Sequence, residues 1–420
     1  MSGRLHRLTN GVRVICDPMT DLETLSVTVV AGRGARAEAA GESGWAHLLE
    51  HMVFKGAGER TARDIVESIE AAGGQINAAT SYERTSFQVR ALKGGLPLAL
   101  EVLADLVLRP TIDAEELERE KLVIAQEIAE AADAPDDRVF DLAQASAFAG
   151  QPLGRPILGE VSTIGRADAE ALLAFRTGQY APDRLVVSAA GAVDEAQLLA
   201  LAERLFGGEP ASVGPTPPTA SFVPGFTAEI RKLEQAHTVL LLPGVGARDE
   251  SYFAQRLFAE ALGGGMSSRL FQEARERLGL AYAIDAYAEA YAEVGMMGVY
   301  AGTTAENAGR SAEVAAREIV ALTMGVETSE LDRCKAQLKA SLFMGRESSL
   351  ARAEQAAGQA LLFDRLFTPG EIAEAVDAVG RSEIRAYGGR MLDAALVAGA
   401  VLGPKSALKA GEVFHRALFG

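Results

Sequence analysis

Apolar and polar positions follow the same order of patterns in the two halves of the chain. Apolar β-type runs over residues 25–31 and 238–242 predict one strand in each half. Further on, each half has two strand-like runs and then an amphipathic helix, over residues 75–80, 85–91 and 96–108 and over residues 281–288, 295–301 and 305–323. This common order predicts that the second half repeats the fold of the first.

A short motif supports the repeat. Residues 29–38 read VVAGRGARAE and residues 241–250 read LLPGVGARDE, which aligns Gly32 with Gly244 about half the chain further on. Each copy of GxGAR follows a β-type run and precedes a helical stretch. A coincidental turn motif would not explain the shared order of the surrounding elements.

The composition of residues 207–225 marks a boundary between the halves. This stretch, GGEPASVGPTPPTASFVPG, is rich in Pro, Gly and Ser and is expected to be an extended linker. We therefore expect an N-terminal domain over 1–206, the linker, and a homologous C-terminal domain over 226–420. Strands and helices interleave without strict βαβ alternation, which predicts the α+β class, with each domain a mostly antiparallel sheet that has helices packed on one side. Helical runs over 329–344, 350–362 and 381–392 are expected to cover the second sheet.

Charge and cysteine content exclude several classes of partner. The 420 residues carry a formal net charge of −16, with 57 Asp and Glu against 41 Lys and Arg. Nucleic acid and anionic membranes would repel such a chain, whereas basic peptides would be attracted to it. Cys16 and Cys334 are too few for a disulfide framework, and neither a signal-peptide core nor a membrane-spanning apolar run is present. These observations predict a cytoplasmic protein.

The segment His47-Leu48-Leu49-Glu50-His51 carries candidate chemistry. Its two histidines stand one helical turn apart, so on a helix both imidazoles lie on one face and can bind one zinc ion. Glu50 stands beside that face, where a carboxylate can take a proton from a water molecule. With 5 His in 420 residues, HxxEH would arise by chance in fewer than about 1% of chains of this composition. A zinc site is therefore favoured over two histidines that only pack against the core.

A catalytic zinc ion needs a third protein ligand, which here should be a carboxylate. The predicted helix over residues 114–131 offers six, and spacing alone leaves the choice among them open: Glu115, Glu116, Glu118, Glu120, Glu127 and Glu130. Glu120 and Glu127 stand two turns apart on one face, so that one can be a ligand and the other can support it. For most of the six, a solvated helix face is expected. Ser43 and Gly56 are expected to begin and end the helix of the histidines.

The order of HLLEH is that of the inverzincins, and the surrounding sequence resembles the pitrilysin (M16) metallopeptidases. The resemblance is strongest to the branch of the mitochondrial processing peptidase and its bacterial two-domain relatives. It covers essentially the whole chain, through NGVRV, GxxHLLEHMVFKG, GGQINAATSYERTSF, EREKLVIAQEI, QPLGRPILG, EQAH and SSRLFQEARERLGLAYAI.

The resemblance implies a zinc endopeptidase that hydrolyses short or extended peptides. It implies zinc ligation by His47, His51 and Glu127, with Glu50 as the general base and Glu120 in a supporting catalytic role. It also implies that the strand over residues 75–80 (QINAAT) is an edge strand, to which substrates add as a further strand. The candidate substrate-binding residues there are Asn77, Ala78 and Ala79.

Arg275 and Tyr282 match an Arg/Tyr pair that the family directs at the substrate carbonyl, where donors stabilise a developing oxyanion. Family members of this length pair two chains as a clamshell, which implies that the two residues come from the partner chain. A complete zinc motif together with an Arg/Tyr pair favours a homodimer over a heterodimer with a related inactive subunit. Shifted by the repeat, the HxxEH motif falls on Ala259, Leu262 and Gly263, so the second half carries no such motif.

Two other functions share this fold. A non-catalytic core or partner subunit is the main alternative, although such subunits usually lack a complete HxxEH. A module that binds peptides without cutting them is less consistent with an intact Glu50. The content of zinc and the rate of peptide cleavage distinguish the three.

Overall fold

The computed structural model describes residues 3–420, and the chain folds into two compact units. The first unit contains the chain up to Ala129 together with two later segments, Arg155–Pro218 and Phe343–Pro369. The second unit contains Glu130–Gly154, Thr219–Leu342 and Gly370–Gly420. Each unit therefore includes a segment from the other half of the sequence.

The strands, numbered along the chain, are β1 (Arg4–Arg7), β2 (Arg13–Pro18), β3 (Thr24–Ala31), β4 (Gly56–Ala57), β5 (Arg60–Thr61), β6 (Gln75–Thr80), β7 (Thr85–Leu92), β8 (Leu185–Gly191), β9 (Gly225–Ile230), β10 (Gln235–Val245), β11 (Ala281–Ala290), β12 (Val294–Thr304) and β13 (Ala398–Gly403). No helix or strand lies between Phe206 and Gly225, where the Pro-rich linker is predicted.

The α-helices are α1 (Trp45–Val53), α2 (Ala62–Ala71), α3 (Leu96–Leu108), α4 (Ala114–Asp133), α5 (Pro135–Ala147), α6 (Val161–Ile164), α7 (Ala169–Gln179), α8 (Glu195–Phe206), α9 (Tyr252–Gly263), α10 (Ala308–Met324), α11 (Thr328–Gly345), α12 (Ser349–Phe363), α13 (Pro369–Ala378), α14 (Arg381–Asp393) and α15 (Ala410–Phe419). A π-helical turn spans Phe271–Arg277. Among residues 3–420, no helix combines the length and apolar character needed to cross a membrane.

The two large sheets have the same topology, except that the first has an additional edge strand, β1. The first has the strand order β1-β2-β8-β3-β7-β6, and the second has the order β9-β13-β10-β12-β11. In each sheet the central strand (β3 or β10) pairs antiparallel with both neighbours, and one outer pair (β2 with β8, β9 with β13) is parallel. The predicted repeat and the α+β class are confirmed, and the sheets are mixed because of these parallel pairs.

Helices α5 and α12 each pack on the sheet formed by the other half of the sequence, and we call them the exchanged helices. Helix α12 packs on β8, β3 and β2 of the first sheet, and α5 packs on the equivalent strands β13, β10 and β9 of the second. The expectation that the helix over 350–362 covers the second sheet is therefore wrong. The physical reason is visible in the strands, since β2 and β3 are buried on both faces and both faces need a cover.

The main core of the first unit lies on the other face of its sheet. There, apolar side chains of α1, α3 and α8 pack against β3 and β7, with Leu48, Leu103 and Phe87 fully buried. Helix α3 (LPLALEVLADLVL) is apolar nearly all round, and ten of its residues are buried. Helix α1 therefore packs against this core, and the edge strand β6 lies beside it.

Candidate metal centre

Helix α1 presents both histidines of the HxxEH motif. It begins after Gly44, which has a φ of +89°, and a Cβ atom there would lie 2.7 Å from the Cα atom of Gly159. The predicted N-cap, Ser43, makes no capping bond. The first N–H groups of the helix are instead bound by the buried carboxylate of Glu38, which accepts from Ala46 at 2.8 Å and from Gly44 at 3.0 Å. The helix ends at Val53, ahead of the predicted stop at Gly56.

Helix α4 brings a carboxylate to the two imidazoles. Its first N–H groups are bound by Asp113 Oδ1, which fixes where the helix begins. Glu127 Oε2 lies 3.7 Å from His51 Nε2 and 3.9 Å from His47 Nε2, and the two Nε2 atoms are 3.2 Å apart. Tetrahedral zinc with bonds of about 2.0–2.1 Å separates its ligand atoms by about 3.3–3.4 Å. These three side chains therefore fit a zinc ion.

Glu120 binds the outer side of His51 rather than the metal position. Its Oε1 atom lies 2.8 Å from His51 Nδ1, and its Oε2 atom lies 2.6 Å from Lys55 Nζ. A carboxylate on Nδ1 holds the proton there and leaves Nε2 free to bind a metal. The two acids that spacing could not separate thus have different positions, with Glu127 at the imidazole Nε2 atoms and Glu120 behind His51.

Two of the remaining candidate acids of α4 lie on its exposed face. Glu115 and Glu118 are exposed and pair with Arg119 and Lys121 on the same helix. Their position agrees with the expectation of a solvated face.

The protonation states of these groups follow from their surroundings. Burial and the neighbouring His51 lower the pKa of His47 to about 4, so its imidazole is neutral at pH 7 and able to bind a metal. Burial acts to raise the pKa of Glu120, but the hydrogen bonds from Lys55 and His51 outweigh it, and that pKa is lowered. Burial raises the pKa of Glu50, against the opposing effect of a hydrogen bond from Thr80.

Glu50 and His51 line a groove that runs along strand β6. The groove has a volume of about 640 Å³ and is also lined by Phe54, Lys55, Val66, Glu70, Gly74, Gln75, Ile76, Asn77, Ala78 and Glu120. Strand β6 is an edge strand, as predicted, and pairs on its inner side with β7. Asn77 and Ala79 are exposed while Ala78 is half-buried, and Asn77 and Ala78 border the groove.

Arg275 and Tyr282 lie in the second unit and contact each other. The guanidinium of Arg275, in the π-helical turn, lies 4.6 Å from the ring centre of Phe271 and 5.3 Å from that of Tyr282. Tyr282 is 78% exposed on β11, the edge strand that corresponds to β6. A π-helical turn is frequent at functional sites.

Within residues 3–420, the His47, His51 and Glu127 group is the one cluster of His, Cys, Asp and Glu with metal-binding geometry. The equivalent helix of the second unit, α9, carries Ala259, Leu262 and Gly263 where the repeat places the motif. None of these three side chains is a usual zinc ligand.

Comparison with known proteins decides the family. Residues 13–161 match the family described as Insulinase (Peptidase family M16), and residues 166–338 match the Peptidase M16 inactive domain. An uncharacterized zinc protease of Rickettsia bellii (strain RML369-C) is 34% identical over 405 residues, which cover 95% of this chain and 97% of that protein. The chain belongs to the M16 peptidase family. It is a zinc metalloprotease of that family, and its cofactor is zinc.

Solved structures show the same fold for this M16 chain. A protease from Helicobacter pylori superposes with a TM-score of 0.89 at 20% identity, covering 96% of this chain and 99% of that one. A chain of complex III2 from Candida albicans, in a structure with Inz-5 bound, has a TM-score of 0.87 at 18% identity, with 99% of each chain covered. At these identities the likeness concerns the fold alone.

Three residues at the site were not predicted from the sequence, namely Glu38, Lys55 and Thr80. On the predicted helix, which extends to Gly56, Lys55 stands four residues beyond His51, a spacing that places both side chains on one helical face. In the structure, Lys55 lies just beyond the end of α1. Glu38 and Thr80 are brought to α1 by chain segments whose position depends on the fold.

Proposed function

We propose that this M16 zinc metalloprotease is an endopeptidase that hydrolyses short or extended, unfolded peptides, with Glu50 as its general base. One observation carries the proposal: the Glu50 carboxylate and the metal-binding His51 line the same groove, along an exposed edge strand. A base, a metal ligand and a strand that can pair with a peptide backbone are the parts that hydrolysis of an extended peptide needs.

Each residue of the site has its own proposed role in the reaction. His47, His51 and Glu127 hold zinc, and Glu120 holds the proton of His51 on Nδ1. When bound, zinc supplies Lewis acidity, which makes a water molecule easier to deprotonate and polarises a carbonyl group. Glu50 takes a proton from the attacking water and passes it to the leaving amine. The raised pKa of Glu50 suits this task, because the base must carry the proton between the two steps.

Substrate binding is assigned to strand β6. Its outer edge can pair with an extended peptide, and backbone pairing of this kind leaves side-chain choice loose. Asn77, Ala78 and Ala79 are the residues proposed to contact the peptide. Their side chains alternate between exposed and half-buried, as in a strand with one face on the protein.

The charges of the groove favour basic peptides. Three acidic residues, Glu50, Glu70 and Glu120, line it with a single lysine, Lys55, whose ammonium group is paired with Glu120. The whole chain is acidic as well, with a net charge of −16. A peptide with Lys or Arg side chains would be attracted to such a groove.

A homodimer is the assembly proposed for this chain, with a heterodimer that includes an inactive M16 relative as the alternative. A similar fold occurs within complex III2, which shows that chains of this fold take part in larger assemblies. In the proposed dimer, Arg275 and Tyr282 of one chain act at the zinc site of the other and donate to the substrate carbonyl.

The cytoplasm is the proposed compartment. Both cysteines, Cys16 and Cys334, are unpaired and buried, and burial raises the pKa of the Cys16 thiol to about 12. Free thiols of this kind are typical of a reducing environment.

Replacement of Glu50 tests the assignment of the base. Glu50→Gln should keep stoichiometric zinc and lose nearly all cleavage of a quenched basic peptide, because the amide cannot accept the proton. Glu118→Gln, an exposed change on α4, is the control and should cleave as the parent does. Cleavage by Glu50→Gln at the parent rate would refute the proposal.

Metal analysis of the purified protein tests the proposed zinc ligands. The protein should retain close to one zinc per chain after dialysis, and His47→Ala should lose it. Retention of stoichiometric zinc by His47→Ala would contradict the assignment of His47 as a ligand.

Mixing of variants tests the shared site. Arg275→Ala and His51→Ala should each be inactive alone, since one lacks the carbonyl donor and the other a metal ligand. Mixed dimers should regain one complete site if Arg275 acts on the partner's zinc. If Arg275 acts within its own chain, the mixture should stay inactive.

A further inference from the structure

The hydroxyl of Thr80 contacts the proposed base directly. Thr80 Oγ1 lies 2.5 Å from Glu50 Oε2. Thr80 Oγ1 lies 3.3 Å from Thr85 Oγ1 on the neighbouring strand, and Thr85 is buried. The hydroxyl thus lies between a carboxylate and a second hydroxyl.

The direction of these two hydrogen bonds follows because the Thr80 hydroxyl has only one proton to donate. An ionised carboxylate only accepts, so the single hydroxyl proton of Thr80 is donated to Glu50. Thr80 Oγ1 must then accept from Thr85, which gives a chain from Thr85 through Thr80 to Glu50. A hydrogen bond to a charged acceptor is among the stronger ones in proteins, and this one occupies Oε2.

We infer that Thr80 is a positioning residue that holds Oε2 of Glu50 and leaves Oε1 to handle the proton of the attacking water. The inference rests on the proposed role of Glu50 as base. A general base has to lie within hydrogen-bond reach of its proton, and a misplacement of about 1 Å can lower a rate by about 100-fold. Thr80 removes the freedom of the carboxylate to rotate away from the metal ligands.

Thr80 also joins the base to the strand of the groove. It is the last residue of β6, and its backbone is held in register with Thr85 of β7. The side chain that holds Glu50 thus belongs to the strand with which the peptide is proposed to pair. The position of the base is therefore tied to the backbone that holds the substrate.

Three substitutions distinguish the effect of the Thr80 hydroxyl group from the effect of the side-chain shape. Thr80→Val removes the hydroxyl and keeps the branched shape that suits a strand, whereas Thr80→Ser keeps the hydroxyl. Thr24→Val, at the exposed first residue of β3, is the control for the same exchange away from the groove. Zinc content and thermal unfolding of each variant establish that it is folded and loaded.

Steady-state cleavage of a quenched peptide gives the readout. Thr80→Val should lower kcat about 10- to 100-fold with KM within about twofold of the parent, because the base is misplaced while binding is kept. Thr80→Ser and Thr24→Val should stay within about threefold of the parent kcat. The inference is overturned if Thr80→Val keeps the parent kcat, if Thr80→Ser loses as much as Thr80→Val, or if only KM changes.

A double substitution tests whether Thr80 acts through Glu50. Glu50→Asp shortens the side chain, which withdraws the carboxylate from the Thr80 hydroxyl, so Thr80→Val should lower kcat far less in that background. If Thr80→Val lowers kcat equally in the parent and in Glu50→Asp, Thr80 does not act through Glu50. If Glu50→Gln cleaves like the parent, the proposed function fails together with this inference. If Glu50→Gln is inactive and Thr80→Val is unaffected, the inference on Thr80 fails alone.

Discussion

Glu120 Oε1 lies 2.8 Å from Nδ1 of His51, on the side of the imidazole ring opposite to the metal position. The same carboxylate accepts from Lys55, so both of its oxygens are engaged. Two consequences follow for the metal centre. The ring is fixed in one orientation, and its proton is held on the nitrogen that does not face His47 and Glu127.

Glu120→Gln should weaken zinc binding by about 10- to 100-fold, the usual effect of removing a carboxylate that supports a metal-ligating histidine. The amide can still bond His51, but it lacks the charge that raises the basicity of the ligand. Competition with a zinc chelator measures the affinity. Glu118→Gln, on the exposed face of α4, is the control. An unchanged zinc affinity in Glu120→Gln would show that Glu120 does not support His51.

Glu38→Gln should alter how stability depends on pH. Burial raises the pKa of Glu38 to about 8, against the backbone N–H groups of Ala46 and Gly44, which lower it. Between its ordinary value of 4.5 and about 8 the folded state binds this proton more tightly than the unfolded chain, so stability falls as the pH rises through that window. Glu38→Gln should lack this contribution. Urea unfolding of both metal-free proteins at pH 5 and pH 9 measures how much the free energy of unfolding changes with pH. An equal change in the parent and in Glu38→Gln would contradict the expectation.

Asp17→Asn should destabilise the packing of the exchanged helix α12. Both oxygens of Asp17 accept from Arg352 of that helix, at 2.5 and 2.7 Å, and Asp17 is 4% exposed. Removal of one partner from a buried pair leaves an uncompensated charge and costs about 3–5 kcal/mol. Denaturant unfolding measures this loss. Glu23→Gln, which breaks an exposed pair with Lys93, should cost less than about 1 kcal/mol. Equal costs in the two variants would contradict the role of the buried pair.

Glu70→Lys should reduce the preference for basic peptides. Glu70 lies on α2 at the groove, and an exposed charge reversal there should lower kcat/KM for a Lys-containing peptide by about 2- to 10-fold relative to a Glu-containing one. High salt should shrink the effect by screening. Glu67→Lys, on the same helix but outside the groove lining, is the control. If Glu67→Lys reduces the preference for basic peptides more than Glu70→Lys does, this preference does not arise from Glu70.

The sequence by itself determined the features that depend on local spacing. His47 and His51 share a helix face because they stand one turn apart, and the repeat of strands and helices followed from two halves with the same hydrophobic periodicity. The family resemblance added Glu127 as the expected third ligand.

The tertiary structure decided the features that depend on distances between remote segments. Glu120 and Glu127 are equivalent by spacing, and only the placement of α4 against α1 puts one behind His51 and the other at the Nε2 atoms. The same holds for Thr80 at Glu50 and for α12 on the first sheet. Periodicity tells which face of an element is buried, but it carries no information about which distant element covers that face, because that depends on how the whole chain packs.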